Sequence, residues 1–382
     1  MKLIDTKDAV GHVLCHDITR ILPGIEKGPV FKKGHIVTEE DIPVLLNVGK
    51  EHLYVWEKTE GMLHEDEAAE ILREICMGED TAMTASPPGE GKIEIRAAKD
   101  GLLKIDRKKL LEINSLGEMM IATIHGDYPV RAGEKQAGTR VIPLVIEEEK
   151  MQKARAIAGD EPILSILPIP KVRYGLVTTG NEVAAGRIKD QFGPVLKQKL
   201  EAYGAECVGQ VILPDDREKI TAAVLDFAAK GAELVLCSGG MSVDPDDKTP
   251  GAIRDTGAKI ISYGAPVLPG AMFLLSYLTI SEVAKDRAEQ TNGTKDREVQ
   301  TDGEASATTA DRAEASGSSG RVVPVLGLPG CIMYAKRTIF DLVLPRVLAG
   351  ERLQAEDLAR YGEGGLCLSC EVCHFPNCQF GK

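Results

Sequence analysis

Aromatic side chains are scarce in this sequence. They make up 4% of its 382 residues, with one tryptophan. So small a supply leaves no stacking platform for bases. Basic charge is in deficit as well: 46 Lys and Arg face 58 Asp and Glu, for a net charge of −12. Such a chain lacks the cationic face that holds nucleic acid nonspecifically. Long hydrophobic runs are missing too. The longest apolar stretch, 265–280, is broken by Pro266, Pro269 and Gly270 and is too short to span a bilayer. It reads as two buried strands around a turn. The first residues, Met1 to Cys15, carry Asp5, Lys7, Asp8 and His12 among their apolar side chains, so no signal-peptide core is visible. These absences predict a cytoplasmic protein with neither nucleic acid nor membrane as partner. Its nine cysteines are then expected to be reduced, metal-bound or redox-active rather than paired.

What is present is ordinary for a soluble globular chain of two or three domains: 43% apolar and 27% charged residues. Residues 1–165 read as an α+β region. Helices are expected over Glu39–Leu46 and His64–Met77, and a hairpin over Lys92–Ile105 around Asp100-Gly101. From 166 to 355 apolar runs alternate with helices of ten to fifteen residues. The runs are Val172–Thr178, Glu206–Leu213, Glu233–Cys237 and Val322–Leu326, and the helices are Gln191–Tyr203, Arg217–Lys230 and a long stretch from Gly330 to about Leu348. That alternation predicts an α/β fold, a parallel sheet between two helical layers. The segment 281–320 interrupts it. Among Ile, Leu, Met, Val and the aromatics it holds only Val283 and Val299. Its composition cannot offset the entropy of ordering, so it reads as a disordered surface insertion between two strands. Residues 356–382 form a cysteine-rich tail.

In an open α/β sheet, ligands bind beyond the carboxyl ends of the strands. Here those ends read Thr178-Thr179-Gly180-Asn181-Glu182, Pro214-Asp215-Asp216, Ser238-Gly239-Gly240-Met241-Ser242 and Leu328-Pro329-Gly330. Glycines let backbone N–H groups approach an anion. The carboxylates, with Asp244, Asp246 and Asp247 following the third turn, suit a divalent cation. Together they suggest a phosphorylated ligand with a metal ion beside it. Read singly, each turn is also an ordinary strand-to-helix connection with a helix cap.

The stretch from about Val172 to Leu353 resembles the molybdopterin-binding domain shared by molybdopterin molybdenumtransferases, gephyrin and molybdopterin adenylyltransferases. The resemblance rests on Thr179-Gly180-Asn181-Glu182-Val183, Gly186-Arg187-Ile188-Lys189-Asp190, Pro214-Asp215-Asp216, Ser238-Gly239-Gly240-Met241-Ser242-Val243 with Asp247, Leu268-Pro269-Gly270 and Leu328-Pro329-Gly330. It implies that Thr179, Gly180, Asn181, Ser238, Gly239, Gly240, Ser242, Pro269, Gly270, Pro329 and Gly330 bind the pterin phosphate. It implies that Asp247, Glu182, Asp215 and Asp216 are the acidic residues of the reaction. The transferases convert adenylylated molybdopterin and molybdate to molybdenum cofactor and AMP with magnesium. The resemblance extends to molybdoenzymes as partners and to a homodimer. Three positions depart from the transferase pattern. Ala271 stands where lysine is usual, Cys331 where asparagine is usual, and Gln191-Phe192 where serine and asparagine are usual. Alanine cannot neutralise phosphate or molybdate as lysine does. The alternative is therefore a noncatalytic protein that senses, stores or delivers the cofactor. An adenylyltransferase is a weaker third reading, since those enzymes are often little more than this one domain.

The tail spaces Cys367, Cys370, Cys373 and Cys378 as C-x2-C-x2-C-x4-C. Four thiolates complete a tetrahedral zinc site or hold an iron–sulfur cluster, with His374 as a substitute ligand. Spacing alone does not choose the metal. The insertion yields a test. Replacing residues 281–320 with a short Gly/Ser turn is expected to leave the melting temperature and ligand affinity nearly unchanged, by calorimetry.

Overall fold

The computed structural model describes residues 2–22, 26–55, 60–242, 244–245, 247–280 and 320–382. The chain divides into two compact units, Met1–Pro168 and Ile169–Lys382. The insertion read over 281–320 lies, but for its last residue, outside the described residues.

The second unit is built on one six-stranded sheet. Its strands are β1 (Arg173–Thr179), β2 (Glu206–Leu213), β3 (Leu234–Ser238), β4 (Lys259–Tyr263), β5 (Leu274–Ile280) and β6 (Arg321–Leu328). Across the sheet they run β2-β1-β3-β6-β5-β4. The helices are α1 (Asn181–Ala184), α2 (Phe192–Glu201), α3 (Arg217–Ala229), α4 (Thr249–Asp255), α5 (Ile339–Leu348) and α6 (Ala355–Ala359). Strands β1, β2, β3 and β6 are parallel. Strand β5 runs antiparallel to both its neighbours, β6 and β4, so the sheet is mixed where the sequence predicted a parallel one. The cause lies in the connection from β4 to β5. It is a turn, and a parallel neighbour needs a crossover of a dozen or more residues. For the same reason the stretch 265–280 supplies one strand, β5, preceded by that turn, where two strands were expected. The helix expected from Gly330 onward is a 3-10 turn over Gly330–Met333 and then α5, whose Thr338 cap and Asp341 form a capping box.

Burial explains the local choices. Strand β3 is buried at all five positions, as a central parallel strand covered on both faces must be. Helix α3 packs Ile220, Val224, Phe227 and Ala228 against the sheet. Phe227 packs over two glycines. A Cβ on Gly175 would stand 2.5 Å from its ring, and one on Gly209 3.0 Å. Those glycines let an aromatic ring sit close to the sheet.

The first unit consists of helices and antiparallel strands. A four-stranded sheet orders 83–85, 92–97, 135–141 and 119–123, and a three-stranded sheet orders 128–130, 101–105 and 164–167. The helix Glu65–Met77 buries Ala68, Ile71, Leu72 and Ile75 and stops at Gly78, φ +51°. The hairpin expected around Asp100-Gly101 does not form. Lys92–Ala97 and Gly101–Ile105 join different sheets. Gly101 serves close packing instead: a Cβ there would meet the Leu167 carbonyl at 2.5 Å. Asp100 caps elsewhere, accepting from Ala132 N–H at 2.9 Å.

Gly175→Ala is expected to destabilise the α/β unit by about 1–3 kcal/mol through overpacking. Combined with Phe227→Leu it should cost less than the two changes summed. Denaturant unfolding of the single and double variants measures this coupling.

Candidate functional site

Register brings the strand ends together. Thr179 pairs with Leu213, Thr178 with Ser238, and Ser238 with Leu328. Four parallel strands therefore finish level, and the loops that follow them share one edge. On β5, Leu274 pairs with Gly327, so the Pro269-Gly270 turn arrives at this edge from the opposite direction.

The loop after β3 turns through two left-handed glycines, Gly239 at φ +89° and Gly240 at φ +55°. Neither has room for a side chain. A Cβ on Gly239 would lie 2.1 Å from the Thr179 carbonyl oxygen. One on Gly240 would lie 3.0 Å from Thr249 Oγ1 and 3.4 Å from Asp215 Oδ1. Thr249 holds the loop in place. Its hydroxyl donates to the Gly239 carbonyl at 2.8 Å, its N–H donates to the Gly240 carbonyl at 3.3 Å, and Thr179 Oγ1 lies at 3.2 Å. Thr179 and Ser238 are buried and Ser238 Oγ lies 3.5 Å from Thr178 Oγ1. Thr179 thus bears on the residue that holds the loop, and Ser238 is tied back to the neighbouring strand.

The acidic residues have distinct placements. Asp215 and Asn181 clasp the loops after β2 and β1. Asn181 N–H donates to Asp215 Oδ2 at 3.1 Å, and Asp215 N–H donates to Asn181 Oδ1 at 3.2 Å. Asp216 is the cap of α3: Lys219 N–H donates to its carboxylate at 3.1 Å and the Lys219 ammonium lies at 3.0 Å. Those bonds hold its carboxyl below the usual range. Asp216 thus serves the helix, while Asp215 borders Gly240. Glu182 is exposed on α1, with Oε2 3.7 Å from where a Gly180 Cβ would be. Asp247 is half-buried and accepts from Asp244 N–H at 3.2 Å. Tyr263 donates to the Met241 carbonyl at 2.8 Å and lies 3.3 Å from that of Ser242. Burial first, and then the Asp247 charge, push its phenol up.

Sequence reasoning did not single out Thr249, Tyr263 or Gln210. Gln210 donates to Asp190 at 2.6 Å and lies 3.2 Å from Thr178 Oγ1, while Asp190 accepts from the first N–H groups of α2. The Thr249-Pro250 pair, a helix-start signal, was the available cue. Pro269 and Gly270 pack toward the start of α5. Ile339 N–H donates to the Pro269 carbonyl at 3.3 Å, and a Gly270 Cβ would meet Ile339 at 2.6 Å. Gly330 is open, with nothing within 4 Å of a Cβ position. Among the scattered cysteines, burial pushes Cys76 and Cys237 up to about 12, which makes both inert. Among the described residues, no three His, Cys, Asp or Glu side chains are grouped to hold a metal ion. Among those residues, too, no helix is long and apolar enough to cross a membrane.

Glycine loops and carboxylates thus meet at the carboxyl edge of the sheet, the edge at which open α/β domains bind their ligands. Residues 175–349 match the family described as "Probable molybdopterin binding domain". Residues 3–57 match a domain of unknown function. The chain is 29% identical over 147 residues to a molybdopterin molybdenumtransferase of Synechococcus elongatus, covering 36% of this chain and 34% of that one. It is 42% identical over 78 residues to a CinA-like protein of Mycolicibacterium vanbaalenii, covering 20% and 18%. The chain thus spans about a third or less of the length of these curated relatives. Among solved structures, the tungsten cofactor synthesizing protein MoaB of Pyrococcus furiosus is similar at 18% identity, with 46% of this chain and 91% of that one covered and a TM-score of 0.31.

The two kinds of glycine in these loops respond differently to substitution. Gly239→Ala is expected to cost about 1–3 kcal/mol, from a positive φ and a backbone collision. Gly330→Ala should be near neutral. Calorimetric melting of both variants checks the contrast.

Proposed function

We propose that this chain acts in molybdenum cofactor assembly as a molybdopterin molybdenumtransferase-like protein. It takes adenylylated molybdopterin and molybdate and yields molybdenum cofactor and AMP. The observation that carries the reading is the meeting of Asn181, Asp215, Gly239, Gly240 and Thr249 at one sheet edge, with Asp247 in the same loop. Phosphates of the substrate rest on backbone N–H groups of the two glycine loops, which α4 and Thr249 hold fixed. Preorganised donors need no rearrangement when charge develops on the departing phosphate.

Magnesium keeps most of its waters and takes one or two protein carboxylates plus substrate oxygens. Asp215 and Asp247 fit that demand without a three-residue cage. Bound there, magnesium would screen the pterin phosphate, the nucleotide and molybdate from one another. Asn181 orients Asp215 by donating to Oδ2. Tyr263 fixes the carbonyls that lead into the Asp247 loop. Glu182 borders the first loop, and Asp216 supports the site through the start of α3. Cleavage of a phosphoanhydride rests on this positioning more than on covalent chemistry.

A second reading has its own observation. Ala271 brings no cation to the Pro269-Gly270 turn, which favours a protein that binds and delivers finished cofactor. Asp247→Asn distinguishes the two. For a transferase, pterin binding persists while molybdate-dependent AMP release falls about 10²-fold or more. Wild-type protein that binds mature cofactor tightly, and releases no AMP with any divalent metal, establishes delivery instead.

A further inference from the structure

Between β4 and β5 the stretch Leu268-Pro269-Gly270-Ala271 carries no polar side chain. What this turn brings to the ligand edge is backbone alone, and backbone groups serve a ligand best when they are already held in place. Two separate parts of the chain hold it. On one side stands the tail. Leu268 N–H donates to the Gly365 carbonyl at 2.9 Å, and Cys367 N–H donates to the Leu268 carbonyl at 2.8 Å. Gly365 approaches so closely that a Cβ there would lie 2.4 Å from the Pro266 carbonyl oxygen. On the other side stands the start of α5. Ile339 N–H donates to the Pro269 carbonyl at 3.3 Å, and a Cβ on Gly270 would meet Ile339.

Arg337 joins the two sides. Its guanidinium lies over the Phe375 ring of the tail, 4.7 Å from the centroid. It also donates to Asp341 Oδ1 at 2.9 Å. The other carboxylate oxygen, Oδ2, accepts from Thr338 N–H at 2.8 Å, within the cap that starts α5. Lys199, on α2, donates to Oδ1 as well, at 2.5 Å. Asp341 is buried, so salt screens this ion pair little. A ring of contacts is thereby closed: turn, tail, Arg337, Asp341, α5 and turn again. Lys336, beside Arg337, donates to the carbonyls of Cys370, at 3.2 Å, and Glu371, which fastens the tail a second time.

We propose that Arg337 is a positioning residue: through Phe375 and Asp341 it locks the Pro269-Gly270 turn where that turn meets a phosphorylated ligand. The role rests on the transferase reading of that edge. Arginine suits it because a planar guanidinium stacks on a ring and pairs with a carboxylate at the same time, which an ammonium does less well. Removing Arg337 leaves Asp341 paired with Lys199 and still capping α5, so the fold should survive the change.

The full chain is compared with Arg337→Gln, Arg337→Lys and Phe375→Leu by amide hydrogen exchange and by calorimetric titration with AMP and magnesium. Arg337→Gln should speed exchange at Leu268, Cys367 and Ile339 about tenfold, with β3 still protected and the melting transition retained. The AMP dissociation constant should rise about tenfold. Arg337→Lys should fall between wild type and Arg337→Gln. Phe375→Leu should loosen the same three amides, and the double variant should add little to either single change. Unchanged exchange at those amides would overturn the proposal, and so would faster exchange with wild-type affinity for AMP. Wild type that binds no AMP would overturn the transferase reading instead; exchange, which needs no ligand, then supports or overturns the lock by itself.

Discussion

The level finish of β1, β2, β3 and β6 is the constraint on which the rest depends. It is a matter of register: Thr178 opposite Ser238, Ser238 opposite Leu328 and Thr179 opposite Leu213. A slip of one residue would move every side chain of β3 to the opposite face of the sheet, against the wrong helical layer. It would also carry Gly239 away from Thr179, and Asp215 away from Asn181. The hydrophobic core and the polar edge are therefore specified by one alignment. Apolar side chains such as Val177, Val235 and Val325, fully buried within it, hold the carboxylates in place although they touch none of them.

That edge is crowded by backbone more than by side chains. Gly239 and Gly240 leave no space for a Cβ because Thr179 and Thr249 close in on them. The buried hydroxyls spend their bonds on the loop itself. What this edge presents is a surface of peptide groups with carboxylates at its rim, and no lysine at 271.

Much of the α/β unit was legible in the sequence. Strand β2 occupies Glu206–Leu213 as its apolar run suggested, and α3 ends one residue before the expected Lys230, because apolar periodicity, an aspartate cap and a terminal glycine mark both locally. The glycine loops were legible for the same reason. What sequence could not show was pairing. The Asp100-Gly101 turn carries a hairpin's local signal, yet its strands part because each finds a better partner far along the chain, Ala137 and Thr139 for one and Leu164 and Ile166 for the other. Asp215 and Asp216 are adjacent and chemically identical. Only the three-dimensional positions of Asn181 and Lys219 separate a clasp between loops from a helix cap.

The antiparallel pair β5 and β6 ends far from the ligand edge, where Ile280 stands opposite Arg321. Its seven facing residue pairs run without a shift from Leu274–Gly327 to that mouth. A chain severed beyond Ile280 would present two fragments whose exposed strands are complementary to each other and to little else. Residues 1–280 would offer β5 and β3 as the two walls of a slot, and residues 321–382 would bring β6 to fill it. Reassembly of the two pieces would then rebuild the Leu328-Pro329-Gly330 turn beside Ser238, so the domain is suited to fragment complementation, with ligand binding as the sign of reunion.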